Sequence, residues 1–330
     1  MKLTTKVVCS FYSLLTALLF TTASFAEEYD FELDVAFGSS NFDGSKTITR
    51  PGGTIFNSGS NDSDNLSIFG NWYYNGLSDD NGPRARAALV NRASSLSFGY
   101  GRTEQTIASF LTNTDPSLMF IPSLSESRFE SDSDLFSVDL RHVDRDSGWF
   151  GSVGLQITNE DISGTFNDST DATEWRLGAG KYIFENTTLS FSVGRIDFGA
   201  GEKATAFDFS LEHLGNLGDR WQYGLDIGYD RTDLDFSDFD TLGVGLSLYP
   251  NRDFEFGVAV LDARGNPGLN RSDVSYEGFA SWFIRPNIQL SASYRVDDAD
   301  FFGNVFVGGD QGVSDADSDS FGISATWRFD

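Results

Sequence analysis

What most constrains this chain is an alternation of apolar and polar residues that restarts every ten to twenty positions and nowhere yields to a long helical period. In the first run Tyr29, Phe31, Leu33, Val35 and Phe37 share one parity, while Glu28, Asp30, Glu32 and Asp34 share the other. A strand sends these two sets to opposite faces. The pattern recurs at Leu66–Tyr74, Leu96–Tyr100, Phe136–Leu140, Trp149–Ile157, Trp175–Ile183, Leu189–Val193, Phe207–Leu211, Trp221–Tyr229, Leu242–Leu248, Phe254–Val260, Val274–Ile284, Ile288–Val296 and Phe321–Phe329. That predicts about 14 strands, with 12 to 16 possible, each near the length that crosses a bilayer when tilted.

The connections alternate too. Short turns fall near residues 144–148, 185–187, 215–219, 250–253 and 285–287. Longer Asp-, Ser-, Gly- and Asn-rich links fall at 38–63, 102–133, 159–170, 231–238, 262–273 and 297–318. Such alternation is expected between the periplasmic and extracellular ends of a transmembrane barrel. Trp72, Trp149, Trp221, Trp282 and Trp327 lie beside the short-turn end, and Trp175 lies away from it. With Tyr74, Tyr223 and Phe329 they form a candidate aromatic girdle, because an indole or phenol is apolar with a polar tip and prefers a membrane interface. A soluble sandwich would also alternate, but its strands are usually shorter. Its solvated face would also carry fewer glycines than the one marked here by Gly99, Gly154, Gly178, Gly224, Gly228, Gly243, Gly245 and Gly257. The fold class expected is therefore all-β, an antiparallel up-and-down transmembrane barrel.

The first 26 residues read differently. Lys2 and Lys6 precede an apolar stretch around Phe11 to Phe20, and Ala23-Ser24-Phe25-Ala26 supplies small residues for cleavage. This predicts a secretory signal peptide over residues 1–26 and a barrel over 27–330. The only cysteine, Cys9, lies in the leader, so no disulfide scaffold or multi-cysteine metal site is expected.

Against 49 acidic side chains stand 23 basic ones, a formal charge of −26, which disfavours a nucleic-acid partner. On the strand face opposite the apolar one, the pore-lining candidates are the acids Glu28, Asp30, Glu32, Asp34, Asp139, Asp208, Glu212, Asp226, Glu255 and Glu277. The bases there are fewer: Arg141, Arg176, Arg295 and Arg328. Such a wall would bias a pore toward cations, or its arginines and carboxylates would simply pair across strands. His142 and His213 fall on the apolar parity, so no inward base is available for Ser/His chemistry. No catalytic residue, metal site or cofactor is expected. Acidic clusters such as Glu130-Ser131-Asp132-Ser133-Asp134 precede many of the strands that start from long links. They would form an acidic outer rim.

One link on the short-turn side, residues 77–94, is long. It contains Asn81-Gly82-Pro83-Arg84-Ala85-Arg86-Ala87-Ala88-Leu89-Val90-Asn91-Arg92-Ala93-Ser94-Ser95. The Gly-Pro, Ala-Ala and Asn-Arg-Ala-Ser-Ser elements resemble a porin family of Gram-negative outer-membrane β-barrels. Arg84 and Arg86 stand where that family would carry an apolar and an acidic residue. The link reads as an ordered periplasmic turn, a short periplasmic helix or a plug of the lumen. The expected function is passive diffusion of small hydrophilic solutes with some cation preference. Its partners would be outer-membrane lipid, lipopolysaccharide and the barrel-assembly machinery, and a homo-oligomer is possible. The alternatives are a non-conducting barrel acting through its acidic loops as an adhesin or envelope-structural protein, and a carboxylate-based surface hydrolase.

Overall fold

The computed structural model describes residues 28–50, 53–78, 82–113, 124–164, 168–199, 201–218, 220–234, 238–264, 272–299 and 313–329. The proposed signal peptide lies outside them. Fourteen strands run in chain order: β1 (Glu28–Arg50), β2 (Gly53–Ser78), β3 (Ser95–Asn113), β4 (Leu124–Val143), β5 (Trp149–Gly164), β6 (Asp168–Phe184) and β7 (Thr187–Phe198), followed by β8 (Glu202–Leu217), β9 (Trp221–Leu234), β10 (Asp238–Asn251), β11 (Phe254–Arg264), β12 (Ser272–Arg285), β13 (Ile288–Ala299) and β14 (Val313–Phe329). Each pairs antiparallel with its neighbours in sequence, and β1 pairs with β14 from Phe31↔Phe329 to Thr47↔Val313. The sheet is thereby a closed barrel without a free edge. The only helical structure among the described residues is a 3-10 turn at Arg84–Arg86 and one helical turn, α1 (Ala87–Val90), both in the long link on the short-turn side.

Closure makes the alternation physical. Outward positions carry exposed apolar side chains all round: Trp149 55%, Val153 45%, Leu155 44% and Ile157 38% on β5, and Val258 58% on β11. On β5 this apolar face spans residues 149 to 157, the length a tilted strand needs to cross a hydrocarbon core. A water-soluble monomer rarely exposes apolar area of this extent. Beyond the short-turn end, the inward positions are mostly Gly, Ser, acids and a few arginines. The exposure is that of a soluble protein turned inside out, as a transmembrane barrel requires.

Several of the links that composition marks as long are strand. β1 and β2 stay paired to Arg50↔Gly53, so residues 38–63 form a ladder broken only at its tip. β3 and β4 pair out to Thr112↔Leu124, leaving 114–123 as the connection. Ladder bonds are made by the backbone, so a hairpin already in register continues through Ser-, Asn- and Asp-rich sequence with weak alternation. A second correction concerns Tyr29. The β1–β2 register shifts between Tyr29 and Phe31, where Tyr29 faces Leu77 and Phe31 faces Trp72. This irregularity turns Tyr29 inward, off the parity of Phe31, to pack edge-on against Tyr73 with ring centroids 6.1 Å apart.

Candidate functional site

The link between β2 and β3 is a plug. Its residues make contact with the inward faces of strands on opposite sides of the barrel. Leu89 packs with Val143, Phe150, Tyr182, Leu214 and Tyr249 from β4, β5, β6, β8 and β10, all inward-facing by parity. Ala87 and Ala93 pack with Tyr29, Tyr73 and Leu77 from β1 and β2. An inward collar of apolar residues in an otherwise polar lumen is explained by this plug, which gives the collar something apolar to bury against.

The motif residues hold the plug's shape. Asn91 Nδ2 donates to the carbonyls of Ser78 at 2.6 Å and Ala87 at 2.8 Å. Arg92 has φ +50°, and its N–H bonds Leu89 O at 3.2 Å while Ala93 N–H bonds Ala88 O at 3.0 Å. These are the two bonds of a helix-terminating loop that normally takes Gly at this position. Arg92 reaches over the Tyr182 ring at 5.0 Å and donates to Arg145 O at 3.0 Å in the β4–β5 turn. Ser94 is fully buried, and its Oγ accepts the Val143 N–H at 2.9 Å.

Arg84 and Arg86 latch the plug to the wall. Arg84 pairs with Asp253 in the β10–β11 turn, and its N–H donates to Arg252 O at 3.0 Å. Arg86 grips both carboxylate oxygens of Asp226 on β9 and donates through Nε to Tyr249 Oη at 2.7 Å. Tyr249 Oη in turn donates to Glu255 Oε1 at 2.7 Å. Arg86 lies directly over Gly224, where a Cβ would come within 3.1 Å of its Nη2. Arg328 on β14 closes the ring. It is 5% exposed, bonds Glu32 at 2.8 Å and Arg84 O at 2.8 Å, and lies over the rings of Tyr29 and Phe283 at 4.5 and 4.4 Å.

The structure separates the inward candidates into three groups. Glu32, Arg141, Asp226, Glu255 and Arg328 belong to the plug or its collar: Glu32 also accepts from Tyr73 Oη at 2.6 Å, and Arg141 lies over Phe150 at 4.1 Å. A second group gathers above them on β4–β9. Arg176 bonds Glu174 at 2.5 Å and both oxygens of Asp208 at 2.8 and 2.9 Å. Asp139 stands in the same cross-strand row as Arg176, with Gly154 between them, and Asp230 is the ladder partner of Asp208. Glu174 and Asp230 were not singled out in the sequence, although both stand on the inward parity. The third group, Glu277 and Arg295, borders a recess on β9–β13. Of the remaining acids, Asp34 accepts from Thr326 Oγ1 at 2.7 Å, Glu212 from Thr188 Oγ1 at 3.5 Å, and Asp30 is exposed at the β1 irregularity. The Glu28 side chain is outside the described set.

The girdle also divides. Trp72, Trp149, Trp221 and Trp282 are outward and exposed, and Tyr74 stacks on His142 with its Oη 2.8 Å from Nδ1. Tyr223 is taken up by His213, 3.2 Å from its Nε2. Trp327 is only 2% exposed, packed with Val35, Ile288 and Ala325 beside Phe329 at the β1–β14 closure. Both histidines keep the outward parity, apart from the inward carboxylates.

Fold and site together define a transmembrane β-barrel of the outer-membrane type, with residues 82–94 seated among inward side chains at its short-turn end. Among solved structures, the chain is similar in fold to the Acinetobacter baumannii outer membrane protein Omp33, with TM-score 0.51 and 16% identity over 92% of this chain and 99% of that one. It is also similar to a deletion mutant of TodX, described as a monoaromatic hydrocarbon channel, with TM-score 0.53 and 10% identity over 91% of each chain. No protein-family model matches the sequence, and no curated protein matches it.

Proposed function

We propose that this chain is an outer-membrane channel for small hydrophilic solutes with a preference for cations, and that the plug restricts its periplasmic mouth. The observation that carries the reading is the closed barrel's apolar exterior around a charged and glycine-rich interior. Such an interior is solvated, and its acids outnumber its arginines, so the low-dielectric wall concentrates cations within it. Passage is limited by size at the plug and biased by charge along the wall. Lipid and lipopolysaccharide contact the apolar belt, and the assembly machinery receives the aromatic-ended β14. A homo-oligomer is compatible with this arrangement.

Conductance of the refolded protein in a planar bilayer, with a salt-gradient reversal potential, tests this. The expected result is small cation-selective steps, with selectivity lowered in an Asp139→Asn/Asp208→Asn/Asp230→Asn variant. A folded barrel that shows no conductance, even with the plug removed, overturns it.

A second reading, a non-conducting barrel acting at the cell surface, is favoured by two observations. The plug spans the mouth, and β1 and β2 run 23 and 26 residues, well beyond the roughly 10 that cross a bilayer, so their hairpin stands clear of the membrane on the long-loop side. Loss of a surface phenotype on trimming residues 43–60, with conductance unaltered, would support it.

A further inference from the structure

One cross-strand row in the lumen wall runs Asp226↔Gly245↔Ala259↔Glu277↔Arg295 across β9 to β13. Two carboxylates thus stand at the ends of a floor made of Gly245 and Ala259. Three strand spacings separate their Cα atoms, about 14 Å. The next row, Gly228↔Gly243↔Leu261↔Ser275, keeps the space above open. The result is a recess of about 330 Å³ lined by these residues and Phe279. That volume suits a small organic molecule.

The charges around it are unequal. Glu277 and Arg295 face each other directly in the ladder, yet they do not pair. Arg295 is drawn away by Asp297, bonded at 2.6 Å, and by Ser275 Oγ at 2.6 Å. Asp297 is itself fixed by Ser318 Oγ at 3.2 Å. Glu277 makes no hydrogen bond or ion pair among the described residues. At the other end Asp226 is already engaged by Arg86 of the plug. The recess therefore offers one uncommitted carboxylate, an aromatic ring and a second carboxylate shared with the latch. A phenyl face and an unpaired carboxylate attract an organic ammonium ion. A carboxylate ligand would instead meet two negative groups.

We propose that this recess is a binding site for a small organic ammonium ion, held by Glu277, and that its occupant competes with Arg86 for Asp226. Binding and plug release are then linked: the cation that enters the recess weakens the latch that closes the mouth. By reciprocity, weakening the latch must strengthen cation binding by the same factor. The proposal gives the channel reading above a substrate class and rests on it for its place in transport, but not for binding.

Isothermal titration of the refolded full chain in detergent with n-butylammonium tests it, with conductance recorded separately. The wild type is expected to bind saturably. Glu277→Gln should weaken binding about tenfold, the value of one charge-assisted hydrogen bond, while Glu277→Asp retains most of it. Arg86→Gln should tighten binding several-fold. Heat-modifiable migration on gels establishes that each variant is folded. Equal affinities for wild type and Glu277→Gln, or no binding at all, overturn the site. Unchanged affinity in Arg86→Gln overturns the competition. A barrel that conducts but does not bind refutes this inference alone, and one that binds but never conducts refutes the channel reading alone.

Discussion

The plug end and the recess wall are made from the same strands, yet they use the inward face in opposite ways. At the plug, inward positions are large: Val143, Phe150, Tyr182, Leu214 and Tyr249 close on Leu89. A few residues higher on β9–β12, inward positions are Gly228, Gly243, Gly245 and Ala259, and a recess stands open over them, with Phe279 folded over Gly257 at its side. The charges differ likewise. Around the plug Arg84 is matched with Asp253, Arg86 with Asp226 and Arg328 with Glu32. At the recess Glu277 is left over. A barrel wall supplies the same backbone at every height, so side-chain size and charge matching decide whether a level is closed or open.

The largest effect should come from breaking the plug's apolar seat. Leu89→Asp buries a charge in the collar and should cost the seated state about 3 kcal/mol or more, a shift of about a hundredfold toward the unseated form. Single-channel recording should show longer and larger openings, and proteolysis should cut within residues 82–93. Openings identical to wild type would mean that the collar does not hold the mouth shut.

Arg86→Gln is expected to act in the same direction with less force. It removes a bidentate ion pair whose carboxylate is partly solvated, about 1–2 kcal/mol of seating after allowing for screening. The effect should shrink as salt rises. A salt-independent change would point to packing of the arginine stem instead.

A pair of glycine substitutions sharpens the contrast. Gly224→Ala places a methyl 3.1 Å from the Arg86 guanidinium and 3.2 Å from Tyr249 Oη, so the latch must shift. Gly245→Ala meets nothing closer than 3.8 Å. Denaturation and conductance should register the first and leave the second within about 0.5 kcal/mol of wild type. Equal effects would remove the distinction between a filled and an open level.

The smallest effect lies in the β4–β5 turn, which carries the plug's Arg92 contact. Asp144 accepts from Ser147 Oγ at 2.6 Å and from Asp146 N–H at 3.2 Å, and the Ser147 bond, with help from that N–H, holds its carboxyl below the ordinary value of 3.8. Because the folded value is depressed, its contribution is present in full above the ordinary value and is lost as pH falls below it. Amide exchange in residues 144–148 should therefore be faster in Asp144→Asn than in wild type at pH 7, and the two should converge as acid protonates the Asp144 carboxylate in the folded protein. A difference that persists after that protonation would contradict the carboxylate's role.

The sequence by itself determined an antiparallel order of about 14 strands, the outward apolar face and the inward parity of Asp139, Arg176, Asp208, Asp226, Glu255 and Glu277, and the structure settled the count at 14. Alternation with period two needs no tertiary information to be read, and short turns fix the order of neighbours. It also marked Arg84 and Arg86 as departures, without giving them partners. Only the tertiary structure decided what those residues do. Arg86 and Asp226 lie 140 residues apart and meet because closure brings β9 opposite the β2–β3 link. The inward turn of Tyr29 and the positive φ of Arg92 carry no composition signal, since a register shift and a left-handed residue are imposed by what they pack against. The open recess follows from cross-strand register: Gly245 and Ala259 become a floor between two carboxylates only when three ladders align them, and no stretch of linear sequence holds that row.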